Sequence, residues 1–196
     1  MTPVLMRARE ITGRPVVTLD GAEDVAEVKD VVISHAAAGV LGFTLNRRGF
    51  LGSPLKEVLP WEAVSALGRD AVMVEGAGAL GAPDEEMGEA AGAGRDDDVV
   101  GAAVMTDGGV ELGTVVDVIV EVDDRDAAVV GFEVHGPGVS RDRDAATLLI
   151  PIDDTLAVSG SALMVPVATE GFVRDDLSGF GSAVADFRAR LREPAP

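Results

Sequence analysis

Short apolar runs of strand length recur along the chain, punctuated by glycine, aspartate and proline. Val116, Val118, Val120 and Val122 alternate along one such run, with Asp117 and Glu121 between them. A period of two is that of a strand with one buried face. Val31-Val32-Ile33, Ala128-Val129-Val130 and Ala162-Leu163-Met164-Val165 are further runs rich in β-branched and aliphatic residues, the composition of strands. Asp20-Gly21 and Asp107-Gly108 lie between runs, where aspartate-glycine supplies the positive φ of tight turns. Many short strands in so little chain predict a small closed barrel or sandwich, because closure removes exposed edges. The period changes near the C-terminus. Phe180, Val184, Phe187 and Leu191 fall on one helical stripe. Ser182 is the expected N-cap, Arg188, Arg190 and Arg192 suit the negative end of the helix dipole, and Pro194 stops it. Such a helix is expected to dock on the chain's own barrels or across a homodimer, with a membrane-surface helix as the alternative.

The strands form two similar series. Val28-Lys29-Asp30-Val31-Val32-Ile33 is answered by Val115-Val116-Asp117-Val118-Ile119-Val120, and Gly39-Val40-Leu41-Gly42-Phe43 by Ala128-Val129-Val130-Gly131-Phe132. Leu59-Pro60-Trp61-Glu62 matches Ile150-Pro151-Ile152-Asp153, and Asp70-Ala71-Val72-Met73-Val74 matches Ser161-Ala162-Leu163-Met164-Val165. One unit is therefore present twice, with small loop insertions. The expected organisation is a first barrel at 8–76, an acidic Gly/Ala-rich linker at 77–96, a second barrel at 97–169 and a tail with an amphipathic helix at 170–196. A short helix inside the linker is compatible with Pro83 and the acids after it.

Charge divides the two halves. The 196 residues carry a formal charge of −18. Residues 1–75 hold 8 basic and 10 acidic groups, residues 76–98 hold 1 and 7, and residues 99–169 hold 3 and 12. The acid thus sits in the linker and second unit. An excess of this sign repels phosphate backbones, and four per cent aromatic residues leave little for base stacking, so no direct nucleic-acid binding is expected. The absence of cysteine excludes disulfides, thiolate nucleophiles and cysteine-ligated metal sites. The beginning of the chain lacks a signal-like apolar run and no segment is long enough to span a bilayer, so the expected location is cytoplasmic.

The succession of Leu112-Gly113-Thr114-Val115-Val116-Asp117-Val118, the Val-Val-Gly-Phe turn ending at Phe132, and Val58-Leu59-Pro60-Trp61-Glu62-Ala63-Val64 resembles the PRC-barrel domain. That resemblance implies an all-β fold of two small PRC-type β-barrels followed by an α-helix. The domain occurs in the cytoplasmic part of the photosynthetic reaction-centre H subunit, in the C-terminal part of the ribosome maturation factor RimM and in stand-alone proteins. What these settings share is docking onto other macromolecules, so the resemblance implies a scaffold or adaptor. A ribosome-associated assembly factor and a small-molecule or metal-binding regulatory module are the alternatives.

The residues themselves suggest no catalytic, cofactor-binding or metal site. His35 and His135 do not occupy equivalent places. Asp30 and Asp117 are equivalent strand positions that could serve as paired carboxylates, but each unit supplies only one, and a structural role is the simpler expectation. Trp61 is expected to lie over the first core. One segment suits a partner: Arg47-Arg48-Gly49-Phe50-Leu51 sets two apolar residues at a loop tip beside basic groups, with Lys56 following. The corresponding stretch of the second unit is polar. The expected partner surface is Arg47, Arg48, Phe50, Leu51 and Lys56.

Overall fold

The structure, a computed structural model, describes residues 3–34, 38–49, 52–93, 99–123, 126–136, 147–152, 158–159 and 162–192. The first unit contains β2 (Pro15–Thr18), β3 (Asp24–Ile33), β4 (Val40–Asn46), β5 (Pro54–Pro60), β6 (Val64–Leu67) and β7 (Val72–Val74). They form one sheet in the order β5-β4-β3-β2-β7-β6. The second contains β8 (Ala103–Thr106), β9 (Glu111–Val122), β10 (Ala127–His135), β11 (Thr147–Pro151), β12 (Val158–Ser159) and β13 (Ala162–Val165), in the same relative order. β2–β7 and β8–β13 are parallel pairs, and the other ladders are antiparallel.

The registers repeat as the sequence predicts. Val31 faces Phe43 as Val118 faces Phe132, Gly42 faces Pro60 as Gly131 faces Pro151, and Val16 faces Val72 as Val104 faces Leu163. A β-bulge falls between Val28 and Asp30 and again between Val115 and Asp117. Gly13 and Gly101 open the two units with φ of +84° and +95°, each donating its N–H to a strand carbonyl, of Val28 and Val115 respectively.

Closure differs from expectation. Among the described residues no ladder joins β5 to β6 or β11 to β12, so each unit is an open path of strands and not a closed barrel. The reason lies on the outer edges of β5 and β11. Val58 exchanges both backbone hydrogen bonds with Gly81, and Leu149 exchanges both with Arg174. These returning segments take the donors and acceptors of Val58 and Leu149 that closure would use, and they protect the edge at those residues by another route.

A helix follows each returning segment. Residues 77–93, within the stretch expected to be linker, form a 3₁₀ turn (Ala77–Ala79), the bridge at Gly81 and α2 (Glu85–Ala93). After the second unit come a 3₁₀ turn (Val167–Phe172), the bridge at Arg174 and a longer helix, α3 (Leu177–Arg192). Asp84 accepts the N–H of Met87 at 2.8 Å, and Asp176 that of Gly179 at 2.9 Å. Asp176 therefore caps α3 in place of the expected Ser182, which lies inside the helix. Gly179 and Gly181 hide the first turn from a propensity reading. The two helices cover equivalent places. Met87 reaches Gly42 and Phe180 reaches Gly131, and a methyl group at either glycine would collide with that side chain and with a neighbouring backbone oxygen. α3 buries Phe180, Ala183, Val184 and Phe187 within the chain, whereas Leu191, the last position of the expected stripe, is exposed.

The two units share one core. Val28, Phe43 and Leu59 belong to the same buried cluster as Val118, Phe132 and Ile150. The equivalent residues Gly39 and Ala128 form an antiparallel bridge with each other, and Val129 donates its N–H to Ala38 at 2.7 Å. A bridge between equivalent residues is the mark of a local twofold relation. The remaining elements break it: β1 (Val4–Arg7) pairs with β9 of the second sheet, and a one-turn helix α1 (Ala8–Ile11) buries Ala8 and Ile11 in the shared core.

Candidate functional site

The clearest concentration of chemistry is where β1 meets the second sheet. The β9–β10 register sets Asp117 directly opposite Glu133, and these residues are only 3% and 2% exposed. Two carboxylates opposed across strands repel each other, and burial removes the water that would screen them. Two arginines from the N-terminal segment compensate. Arg7, the last residue of β1, donates from Nε to Glu133 Oε2 at 2.7 Å and from Nη2 to Oε1 at 3.2 Å. This two-pronged arrangement is the strong geometry for guanidinium and carboxylate. Arg9 bridges the acids: its Nε lies 3.2 Å from Asp117 Oδ2 and its Nη2 3.1 Å from Glu133 Oε2. The Arg9 and Val118 N–H groups both donate to Asp117 Oδ1, and the Thr147 hydroxyl donates to Glu133 Oε1 at 2.8 Å.

The two acids respond differently. Burial pushes Asp117 above the usual carboxylate range, against the N–H groups of Val118 and Arg9 and the Arg9 charge. Burial pushes Glu133 in the same direction, but the hydrogen bonds from Arg7 and Thr147 and the two guanidinium charges outweigh it and leave Glu133 below its ordinary value. Asp117 Oδ2 has the Arg9 charge beside it but no hydrogen-bond donor, whereas both Glu133 oxygens and Asp117 Oδ1 are taken by guanidinium, hydroxyl and N–H groups, an arrangement suited to holding β1 in place.

The first unit has no such couple. Asp30, the counterpart of Asp117, faces Thr44, whose hydroxyl donates to it at 3.3 Å, and Lys29 lies 3.1 Å away. Asp30 and Asp117 sit in separate sheets and are not brought together. The partner of Asp117 is Glu133, which strand-by-strand reading misses. Comparing the two units reveals it, because Thr44 is replaced by a charged residue in an otherwise apolar strand.

Arg47, Arg48 and Lys56 are exposed. Arg47 closes the base of the β4–β5 loop through its N–H to the Ser53 carbonyl. Arg48 turns back onto β3, with Asp24 at 2.7 Å and Glu27 at 2.6 Å. Phe50, Leu51 and His35 lie outside the described residues. His135 ends β10, half-buried, opposite Thr114 and Thr147. Trp61 stands edge-on to Phe43 with ring centres 6.2 Å apart, over the first core as expected. It also lines a cleft of about 140 Å³ with Val4, Met6, Val64, Leu67 and Val122. This cleft runs between β1 and β6, where the two units meet.

Among the described residues, no three histidine, aspartate or glutamate side chains are grouped to hold a metal, and no helix is long and apolar enough to cross a membrane. Comparison with curated proteins finds no match. The model of one family, the PRC-barrel domain, matches residues 3–80 and again residues 92–171. The repeated registers agree with that double match, and the chain belongs to the PRC-barrel domain family, with two copies of the domain in tandem.

Proposed function

We propose that the chain is a non-enzymatic adaptor that docks a protein partner through its first domain. The observation that carries this reading is the β4–β5 hairpin. It presents Arg47 and Lys56 to solvent beside residues 54–57 of β5, whose outer edge pairs with no strand among the described residues. The near-neutral charge of this domain supports it, since the linker and second domain hold most of the acid. So does the engagement of both buried carboxylates by arginines, which leaves them in a holding role. The setting in this reading is the cytoplasm. We also infer that the tandem arose by duplication of a barrel-type unit that included its returning segment and helix, because the bridges at Gly81 and Arg174 and the caps at Asp84 and Asp176 recur with the strands.

The test is affinity capture with the full chain, repeated with Arg47→Glu/Lys56→Glu and with Phe50→Asp/Leu51→Asp. A specific partner that is lost with these variants supports the reading. A partner retained by both variants, or a reproducible turnover without any partner, overturns it.

A further inference from the structure

β1 falls within the first domain by sequence, yet its ladder lies in the second. Its four backbone partners are Val122, Glu121, Val120 and Ile119 of β9. The second domain depends on this visitor. Asp117 and Glu133 are buried side by side, and the cations that neutralise them come from Arg7 and Arg9. An empty site would leave two uncompensated charges at very low exposure, which is strongly destabilising. The site therefore selects an extended strand ending in arginine and followed by a helical turn that carries a second arginine. Nothing in the ladder or the ion pairs specifies that the strand belong to the same chain.

We propose that the second domain is a receptor for β1 and the following helical turn of a second copy of this chain, so that two copies exchange Arg7 and Arg9 and each closes the other's charge cluster. Three observations favour this occupant. Charge is complementary: residues 3–14 carry three arginines and one glutamate, whereas residues 99–169 carry 3 basic and 12 acidic groups. The connection to the first domain is short and jointed, one helical turn followed by Thr12 and by Gly13 at φ +84°. The strand is paired along one edge only: its ladder is to β9, and among the described residues no strand pairs with its other edge, which borders the cleft shared with Trp61, Val64 and Leu67. An exchanged strand makes the same ladder and the same ion pairs as a resident one, so the equilibrium is set by concentration and by strain in the joint.

Charge reversal distinguishes the two arrangements. An Arg7→Glu chain sets a carboxylate against Glu133, and a Glu133→Arg chain sets a guanidinium against Arg7. Each chain alone has a broken cluster. When the two full chains are unfolded, mixed and refolded together, strand exchange restores both clusters at once. The expected result is a one-to-one heterodimer by light scattering that melts above either chain alone. A second experiment leaves the charges intact and uses the absence of native cysteine. Leu5 and Glu121 are paired in register, so a tagged Leu5→Cys chain and an untagged Glu121→Cys chain are refolded together and oxidised. A disulfide between position 5 of one chain and position 121 of the other, increasing several-fold with concentration, is expected. The proposal is overturned if the double variant Leu5→Cys/Glu121→Cys oxidises within a chain while the mixture yields no cross-chain bond at any concentration. A charge-reversed mixture that stays monomeric while both chains fold overturns it as well.

Discussion

Asp117 and Glu133 face each other across one ladder, yet they hold opposite relations to pH. Burial raises the Asp117 carboxyl above its ordinary value of 3.8, so the folded chain gains a proton there more readily than the unfolded chain. The stability associated with Asp117 therefore falls as pH rises from 3.8 through its folded value. Glu133 is lowered from 4.5, so its contribution is present above 4.5 and is lost as pH falls through the folded value. Asp117→Asn keeps an acceptor for the Val118 and Arg9 N–H groups and removes a desolvated charge. It is expected to be as stable as the parent or more so at pH 7 in urea titration, and to lose that advantage toward pH 3. Glu133→Gln should cost about 2 kcal/mol at pH 7, because Arg7 and Arg9 lose their shared counter-charge, with the gap narrowing in acid. The opposite order of the two variants at pH 7 would contradict this assignment. Gly131→Ala tests a steric point at the same scale. A methyl group there meets the Phe180 ring and the Ile150 carbonyl, and a loss of about 3 kcal/mol by urea titration is expected.

At the scale of elements, the strands and their registers were legible because their anchors are chemically distinctive. Gly42-Phe43 against Gly131-Phe132, and Pro60 against Pro151, fix the alignment of the two units, and the ladders follow it pair by pair. The returning segments were not legible. Gly81 and Arg174 act through backbone N–H and C=O groups, which any residue but proline possesses in full, so no side-chain signature marks them. α2 was legible as a short helix after Pro83, but its role becomes visible only where Met87 covers Gly42. The charge couple was half legible: Asp117 stands out in a valine strand, but its partner is identified by a register across a hairpin. These elements carry their own prediction. Phe180→Ala removes the fully buried ring that seats α3 and should cost about 3–5 kcal/mol. Hydrogen exchange should then accelerate in α3 and at the Leu149–Arg174 bridge first, while the β3–β4 ladder stays protected. Uniform loss of protection would show that α3 and the sheets open together.

For the whole molecule, the shared core decides how the chain unfolds. Two domains with separate cores can melt in two steps, but here Phe43 and Phe132 lie in one cluster with Met6, Ala8 and Ile11 between the units. A single transition is expected. Fluorescence of Trp61, which sits on the first core, should coincide with far-ultraviolet circular dichroism across a urea titration. Distinct midpoints, or scattering from two independent bodies, would separate the units again. The charge of −18 acquires a finer meaning at this scale. Part of the second domain's acid is turned inward, toward Arg7 and Arg9, and serves cohesion between the domains.

The placement of β1 also imposes an order of events during synthesis. Arg7 and Glu133 are 126 residues apart, so at about 5–20 residues per second β1 waits on the order of 10 s for the strand it completes. During that interval the first domain can assemble its own sheet, but its opening strand has no ladder to join. The clasp is therefore a late and non-local contact, of the kind that slows folding. A nascent chain paused before β9 would present an apolar strand and two arginines to whatever lies nearby, including the finished second domain of a neighbouring copy.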